Sequence, residues 1–386
     1  MNLRIFFDIV PDDLFLEIPA VGDTMNNLSI YHIDFPDWKS ADIAIIGLVE
    51  DQGSPQNTSI GAAANEIRKK LYHLKQGTSH PYKIVDLGNL RCGVNLHESY
   101  LRMKEVSEEL LRNSTFPIFI GGGHDMDFGQ FLGYENSGKL LNILNVDALL
   151  DMQATDALGA NKHHIHKILT YEPNYIFHYC HLAYQSFLCE PESVAILEKL
   201  HFEAYRIGAM HHHLEEIEPA IRNADMLSFD ISAIKSSDAW ANNYRQPFGL
   251  TGEEACQICW YAGLNSKLTS AGFYEYNPNE DRDGQTASVI ATMIWYLIEG
   301  FYHRKHSNDF KSDEYTRFIV AMASEPHQVV FFKHNQTEKW WMEVPHPTNN
   351  IKYERNSIIP CSYNDYLIAN KGELPNRWIL AHSKLI

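Results

Sequence analysis

Cysteine is scarce: six residues in a chain of 386 are too few to frame it with disulfides, and they point to a reducing compartment. Long apolar runs are missing too. The longest, VIATMIWYLI at 289–298, falls well short of the ~20 residues that cross a bilayer. The opening stretch, MNLRIFFDIVPDD, holds one arginine and then Asp8, Asp12 and Asp13, so it has neither the cationic region nor the apolar core of a signal peptide. Basic residues are in deficit, 32 against 49 acidic, for a formal charge of −17. That balance argues against nucleic acid or an anionic membrane as the main partner. These absences lead to the expectation of a cytoplasmic protein whose partner is a small-molecule substrate.

What is present is the composition of an ordinary globular protein, 45% hydrophobic and 12% aromatic, long enough for one large α/β domain with extensions or for two domains. From ADIAIIGLVED (41–51) onward, apolar strands alternate with helices. They run through KIVDLGNL, FPIFIGGG, LNILNVD, NYIFHYC, EAYRIGA, MLSFDI and LTSAGFYEY, with amphipathic stretches such as ESYLRMKEVSEELLRN (98–113) between them. This alternation predicts a three-layer α/β/α fold around a mainly parallel sheet. Residues 1–40 read as an N-terminal extension, 41–304 as the α/β domain and 305–386 as a C-terminal extension. The last contains the strand RFIVAMA, a hairpin of VVFFKH and KWWMEV around NQTE, and a final helix interrupted by Gly372 and Pro375. Cys256 and Cys259 form a CxxC, but TGEEACQICWYAG reads as a helix capped by Thr251 with Glu254, where two cysteines one turn apart are packed side chains rather than zinc ligands.

Three strand ends carry the chemistry. LNILNVDALLD (141–151) ends in Asp147, Leu149 and Asp151, which would share one face if the strand ran on. FPIFIGGGHD (116–125) runs through three glycines to His124, and MLSFDIS (226–232) ends in Asp230 with Ser232 two residues on. Ligands of open α/β sheets gather outside the carboxyl ends of the strands. A single aspartate there would be an ordinary turn cap. Three converging aspartates repel, and a divalent ion or a basic side chain must compensate; one histidine with three carboxylates suits Mn²⁺ or Mg²⁺ better than zinc.

The three stretches resemble the motifs of the ureohydrolase superfamily of arginase, agmatinase and formimidoylglutamase, written roughly as GGxH, DAHxD and SxDxD, and GGGHD resembles the formimidoylglutamase version. The resemblance covers about residues 41–304. It implies manganese ligands at His124, Asp147, Asp151 and Asp230, and a glutamate that grips an amidine or guanidine at Glu275 of AGFYEYNP. Two positions depart from the family: its middle histidine is Leu149 and its second third-motif aspartate is Ser232. Both belong mainly to the second ion of a two-ion site, which implies one Mn²⁺ here, or none.

The resemblance therefore implies a hydrolase of a linear amidine or guanidine C–N bond working with one divalent ion, in which His164 of NKHHIHK would pass a proton to the leaving amine. The departures motivate an alternative, a non-catalytic member that keeps the fold for small-molecule binding or assembly. His163, His166 and the run His211, His212 and His213 read as solvated side chains. Lys235 is open to two readings, a substitute charge at the site or a solvated lysine. Restoring both family residues, Leu149→His with Ser232→Asp, is expected to restore a second ion. Family members often form trimers or hexamers, so a homo-oligomer is one expectation, with the C-terminal extension able to replace or block such contacts.

Overall fold

The computed structural model describes all residues except 17–27, 58, 76–81, 212, 305–308, 346–357 and 386. A ten-stranded sheet forms its centre. The strands are β1 (Phe7–Asp8), β2 (Ser29–Ile30), β3 (Ile43–Leu48), β4 (Ile84–Leu90), β5 (Phe116–Gly121), β6 (Leu141–Val146), β7 (Ile176–Tyr184), β8 (Glu203–Arg206), β9 (Met226–Asp230) and β10 (Ser270–Tyr274). Their order is β1-β4-β3-β5-β10-β9-β6-β7-β8, with β2 also on β4. All pairings are parallel except β1 on β4. The N-terminal extension thus supplies an antiparallel edge strand.

The layering follows from the two-residue period of a strand. In β3, Ile43 and Ile45 enter one core while Ala44, Ile46 and Leu48 enter another. The first core is closed by the helices Ala63–Leu71, Leu214–Arg222, Gly252–Leu264 and Gln285–Tyr302; the second is closed chiefly by Leu96–Arg112, Asp127–Leu132 and His164–Leu169. The predicted fold class is therefore the observed one. Thr251 and Glu254 cap Gly252–Leu264 reciprocally, and Cys259 is buried in that helix with Cys256 partly buried beside it; burial holds both thiols above their ordinary range. No helix among the described residues is long and apolar enough to cross a membrane.

The C-terminal extension forms a second sheet, β11 (Tyr315–Ala321), β12 (Gln328–His334), β13 (Trp340–Glu343) and β14 (Ile358–Cys361), antiparallel throughout. The NQTE hairpin is there between β12 and β13. The final helix is two helices, Tyr363–Asn370 and Asn376–Leu385, split where Gly372 takes φ +88°. Arg222 ties this sheet to the main body: its Nη2 donates to Trp340 O (3.0 Å) and Cys361 O (3.3 Å), and its guanidinium lies 4.2 Å over the Trp341 ring.

One buried ion pair braces the first strands beneath the site. Arg68 donates to both oxygens of Asp86 at 2.8 Å and to Asn89 Oδ1 and Gly88 O, while the Tyr72 hydroxyl also donates to Asp86. Both charged side chains are fully buried. Replacing Arg68 by Met leaves the Asp86 carboxylate buried without its cation, and a loss of about 3–5 kcal/mol is expected in urea unfolding.

Candidate metal centre

His124, Glu275, Asp230 and Asp147 follow or close β5, β10, β9 and β6, four consecutive neighbours in the sheet, so residues up to 151 positions apart emerge side by side. Each is delivered by a local device. After β5 the chain turns through Gly121 and Gly122 at φ +85° and +76°, where a side chain would be strained and a Cβ on Gly121 would meet Leu48 O at 3.0 Å. Asp230 Oδ1 caps the short turn that follows β9, accepting from Ser232 N at 2.6 Å.

The segment after β6 differs from the sequence expectation. The strand stops at Val146, and Asp147 Oδ1 accepts from Leu149 N at 3.0 Å, bending the chain. Asp151, at φ +45°, completes the turn. Asp147 and Asp151 therefore share a pocket because the backbone folds back, and Leu149 contributes an N–H rather than a side-chain donor.

Five buried side chains meet here, and each has one polar atom bonded to the protein and one that is not. Asp147 Oδ1 accepts from Leu149 N and, at 2.7 Å, from Ser232 Oγ; Asp151 Oδ1 accepts from Lys162 Nζ at 3.1 Å; Asp230 Oδ1 accepts from Ser232 N. His124 Nε2 lies 2.8 Å from Ser228 Oγ, and His164 Nδ1 lies 2.7 Å from Asp127 Oδ1. Asp147 Oδ2, Asp151 Oδ2, Asp230 Oδ2, His124 Nδ1 and His164 Nε2 all lack a protein hydrogen-bond partner. They face one another. His124 Nδ1 is 3.3 Å from both Asp147 Oδ2 and Asp230 Oδ2, and His164 Nε2 is 3.6 Å from Asp151 Oδ2.

One donor atom each from His124, Asp147, Asp151 and His164 lies within 4.8 Å of the others. That is close to the separation of opposite ligands around one divalent ion with bonds of ~2.1–2.4 Å. The donor set fits a divalent metal. The two carboxylate oxygens of that group favour a hard ion, as does Asp230 Oδ2, which is not one of the four but lies 3.3 Å from His124 Nδ1, and two imidazoles favour Mn²⁺ over Mg²⁺.

Asp127 and Ser228 were not singled out from the sequence. Ser228 donates to Asp127 Oδ2 at 3.0 Å while receiving His124 Nε2–H, and Asp127 Oδ1 receives His164 Nδ1–H. One carboxylate thus fixes the orientation of both rings, so that each inward nitrogen offers a lone pair once a metal ion displaces its proton. A signal existed: Ser228 stands two residues before Asp230 on the same strand, hence on the same face, and Asp127 stands one turn after His124.

Glu275, at φ +66° just past β10, lies at the same sheet end, with its carboxylate already engaged. Oε1 accepts from His124 N and Asn161 Nδ2, both at 3.0 Å; Oε2 accepts from Ser54 Oγ at 3.0 Å and Asn57 Nδ2 at 3.2 Å. Of the two readings of Lys235 the structure has the solvated one: it is partly exposed and pairs with Asp238 at 3.5 Å. The cation at the site is Lys162, buried, with its ammonium 3.6 Å from the centroid of the Tyr244 ring. Of the other histidines, His163 stacks on His166, His211 pairs with Glu254, and His212 lies outside the described residues.

The profile of the arginase family matches residues 41–299. The chain belongs to the arginase family. Curated relatives include the formimidoylglutamases of Geobacillus sp. (strain WCH70), 24% identical over 281 residues (68% of this chain, 85% of the relative), and of Nocardia farcinica, 26% identical over 271 residues (66% and 84%). Similar folds include the Mn²⁺-containing formiminoglutamase of Trypanosoma cruzi, with TM-score 0.62 and 21% identity over 70% of this chain and all of that one. Formimidoylglutamase of Bacillus subtilis also has TM-score 0.62, with 17% identity over 76% and 98%. The residues set against the family motifs, His124, Asp147, Asp151 and Asp230, lie together here, with His164 and Lys162 beside them.

The electrostatics are those of a pocket made for a cation. Burial together with Asp230 and Asp151 pushes Asp147 up to about 7, with His124 opposing. Burial would lower His164, but the charge and hydrogen bond of Asp127 together with Asp151 outweigh it and hold the ring up at about 9. Burial would raise Asp151, yet Lys162 and His164 hold it well below the carboxylate range.

Both raised groups bind protons that the unfolded chain has already released, so stability falls as pH rises. The Asp147 contribution is lost between about 4 and 7, and the His164 contribution, complete below about 6.5, is lost through about 9. The melting temperature of chelated protein is expected to drop from pH 6 to pH 9, and Mn²⁺, which takes the place of those protons, is expected to restore more stability at pH 9. Asp127→Asn, which releases both rings, is expected to weaken Mn²⁺ binding in calorimetry by about 10–100-fold.

Proposed function

We propose that this arginase-family member is a formimidoylglutamase-like hydrolase that cleaves a C–N bond of a linear amidine or guanidine with one divalent ion, Mn²⁺ foremost. The observation that carries the reading is the convergence of five buried donor atoms without protein partners. Each unsatisfied buried polar atom costs about 1–3 kcal/mol. A pocket kept only for assembly would gain nothing from that cost, which favours the enzyme over the non-catalytic alternative.

His124, Asp147, Asp151 and Asp230 would hold the ion. His164 fits better as a further ligand than as the proton donor expected from the sequence, because its ring is fixed by Asp127 and its second nitrogen faces Asp151. When bound, the ion supplies acidification of a water and polarisation of the amidine. With the ion bound, Asp127 and Ser228 would hold the two imidazoles in their neutral, ligating tautomers. Glu275 positions the His124 backbone and Asn161. It would meet a planar amidinium directly by exchanging the Asn57 and Asn161 donors for two parallel N–H bonds. The six free cysteines support a reducing, cytoplasmic setting.

The test is turnover by protein purified in manganese: formamide or ammonia from formimidoylglutamate, and urea from arginine and agmatine. Formimidoylglutamate is expected to be consumed in a chelator-sensitive way; metal-loaded protein that turns over none of the three would return the reading to the non-catalytic alternative. Glu275→Gln is expected to lower kcat/KM by about a hundredfold, or ~2.7 kcal/mol.

A further inference from the structure

We propose that the centre is built to hold one ion and to refuse a second, with the ammonium of Lys162 as the second positive charge of the site. The proposal rests on the metal reading above and deepens it from number to cause. To hold two ions, shared carboxylates must offer both oxygens, and here the second oxygens are spoken for. Asp147 Oδ1 carries two hydrogen bonds, from Ser232 Oγ and Leu149 N; Asp230 Oδ1 carries the Ser232 N–H; Asp151 Oδ1 carries Lys162 Nζ. Of these bonds only that from Ser232 Oγ to Asp147 Oδ1 comes from a side chain at which this chain departs from its family; the Ser232 and Leu149 N–H groups are backbone donors that would cap Asp230 and Asp147 whatever residue stood there.

Lys162 completes the arrangement. Its ammonium is buried 3.1 Å from Asp151 Oδ1 and over the face of Tyr244 at 3.6 Å, a place where an ammonium is held by both a carboxylate and a ring quadrupole. Its charge acts on Asp151 first and also on Asp147 and Asp230. The three aspartates that face the ion, one divalent ion and one ammonium sum to neutrality among themselves, with the carboxylates of Asp127 and Glu275 turned to the His164 ring and the His124 amide behind them. A second divalent ion would stand against the ammonium in a dry pocket, where like charges repel strongly.

Restoring the two family residues is therefore not sufficient. Wild-type protein equilibrated with excess Mn²⁺ and desalted is expected to retain one manganese per chain by elemental analysis, with the paramagnetic resonance spectrum of an isolated ion. Leu149→His with Ser232→Asp is expected to retain one still. Adding Lys162→Ala is expected to admit a second, with an exchange-coupled spectrum. Two ions in wild type or in the double variant, no ion in wild type, or a folded triple variant holding one would each overturn the proposal.

The single change Lys162→Met guards against a triple variant that does not fold. It is expected to keep one ion and to show a larger rise in melting temperature on Mn²⁺ addition than wild type; an equal or smaller rise would count against the proposal. The outcomes separate the two readings. One tightly held ion without turnover would leave the charge arrangement standing and remove the hydrolase; turnover with two ions would do the reverse.

Discussion

The need to satisfy buried polar atoms governs this site. Three carboxylates and two imidazoles are withdrawn from water at the ends of neighbouring strands, and each is anchored by half of its hydrogen-bonding capacity. The anchored halves define where the other halves point. Removing Ser232, Ser228, Asp127 or Lys162 would free a side chain to turn toward the protein and close its own hydrogen bonds, so the convergence depends on groups that never touch the ion.

The fold supplies that constraint cheaply. Parallel strands β5, β10, β9 and β6 are held in register by ladders over two apolar cores, and their carboxyl ends lie in one row. The turns beyond the row are short and strongly bonded, through glycines at φ > 0 after β5 and through aspartate caps after β6 and β9. Rigid strands set the separation of the side chains and the turns set their direction, which is why the donors are precise without a long loop.

Strand alternation made the central sheet readable from the sequence, as did the three strand-end motifs, because both depend on local periodicity. The face shared by Asp147 and Asp151 was read as strand pleat and is a turn; two residues of spacing look alike on paper in either case. The lysine at the site was the harder problem. Lys235 follows the third motif closely, whereas Lys162 comes from a loop whose path is fixed by contacts with residues 53–55 and 275, far away in the chain. Ser228 was legible by the two-residue rule and Asp127 by a helical turn, while the four donors on Glu275 come from three separate segments that no spacing rule connects.

Glu275 carries one more implication. The same carboxylate holds the amide of His124 and the side chain of Asn161, next to Lys162, so it spans the two segments that aim the donors. A guest molecule taking hold of that carboxylate would trade against both. Metal affinity and guest affinity are then two faces of one free energy, and by reciprocity each must alter the other by the same factor.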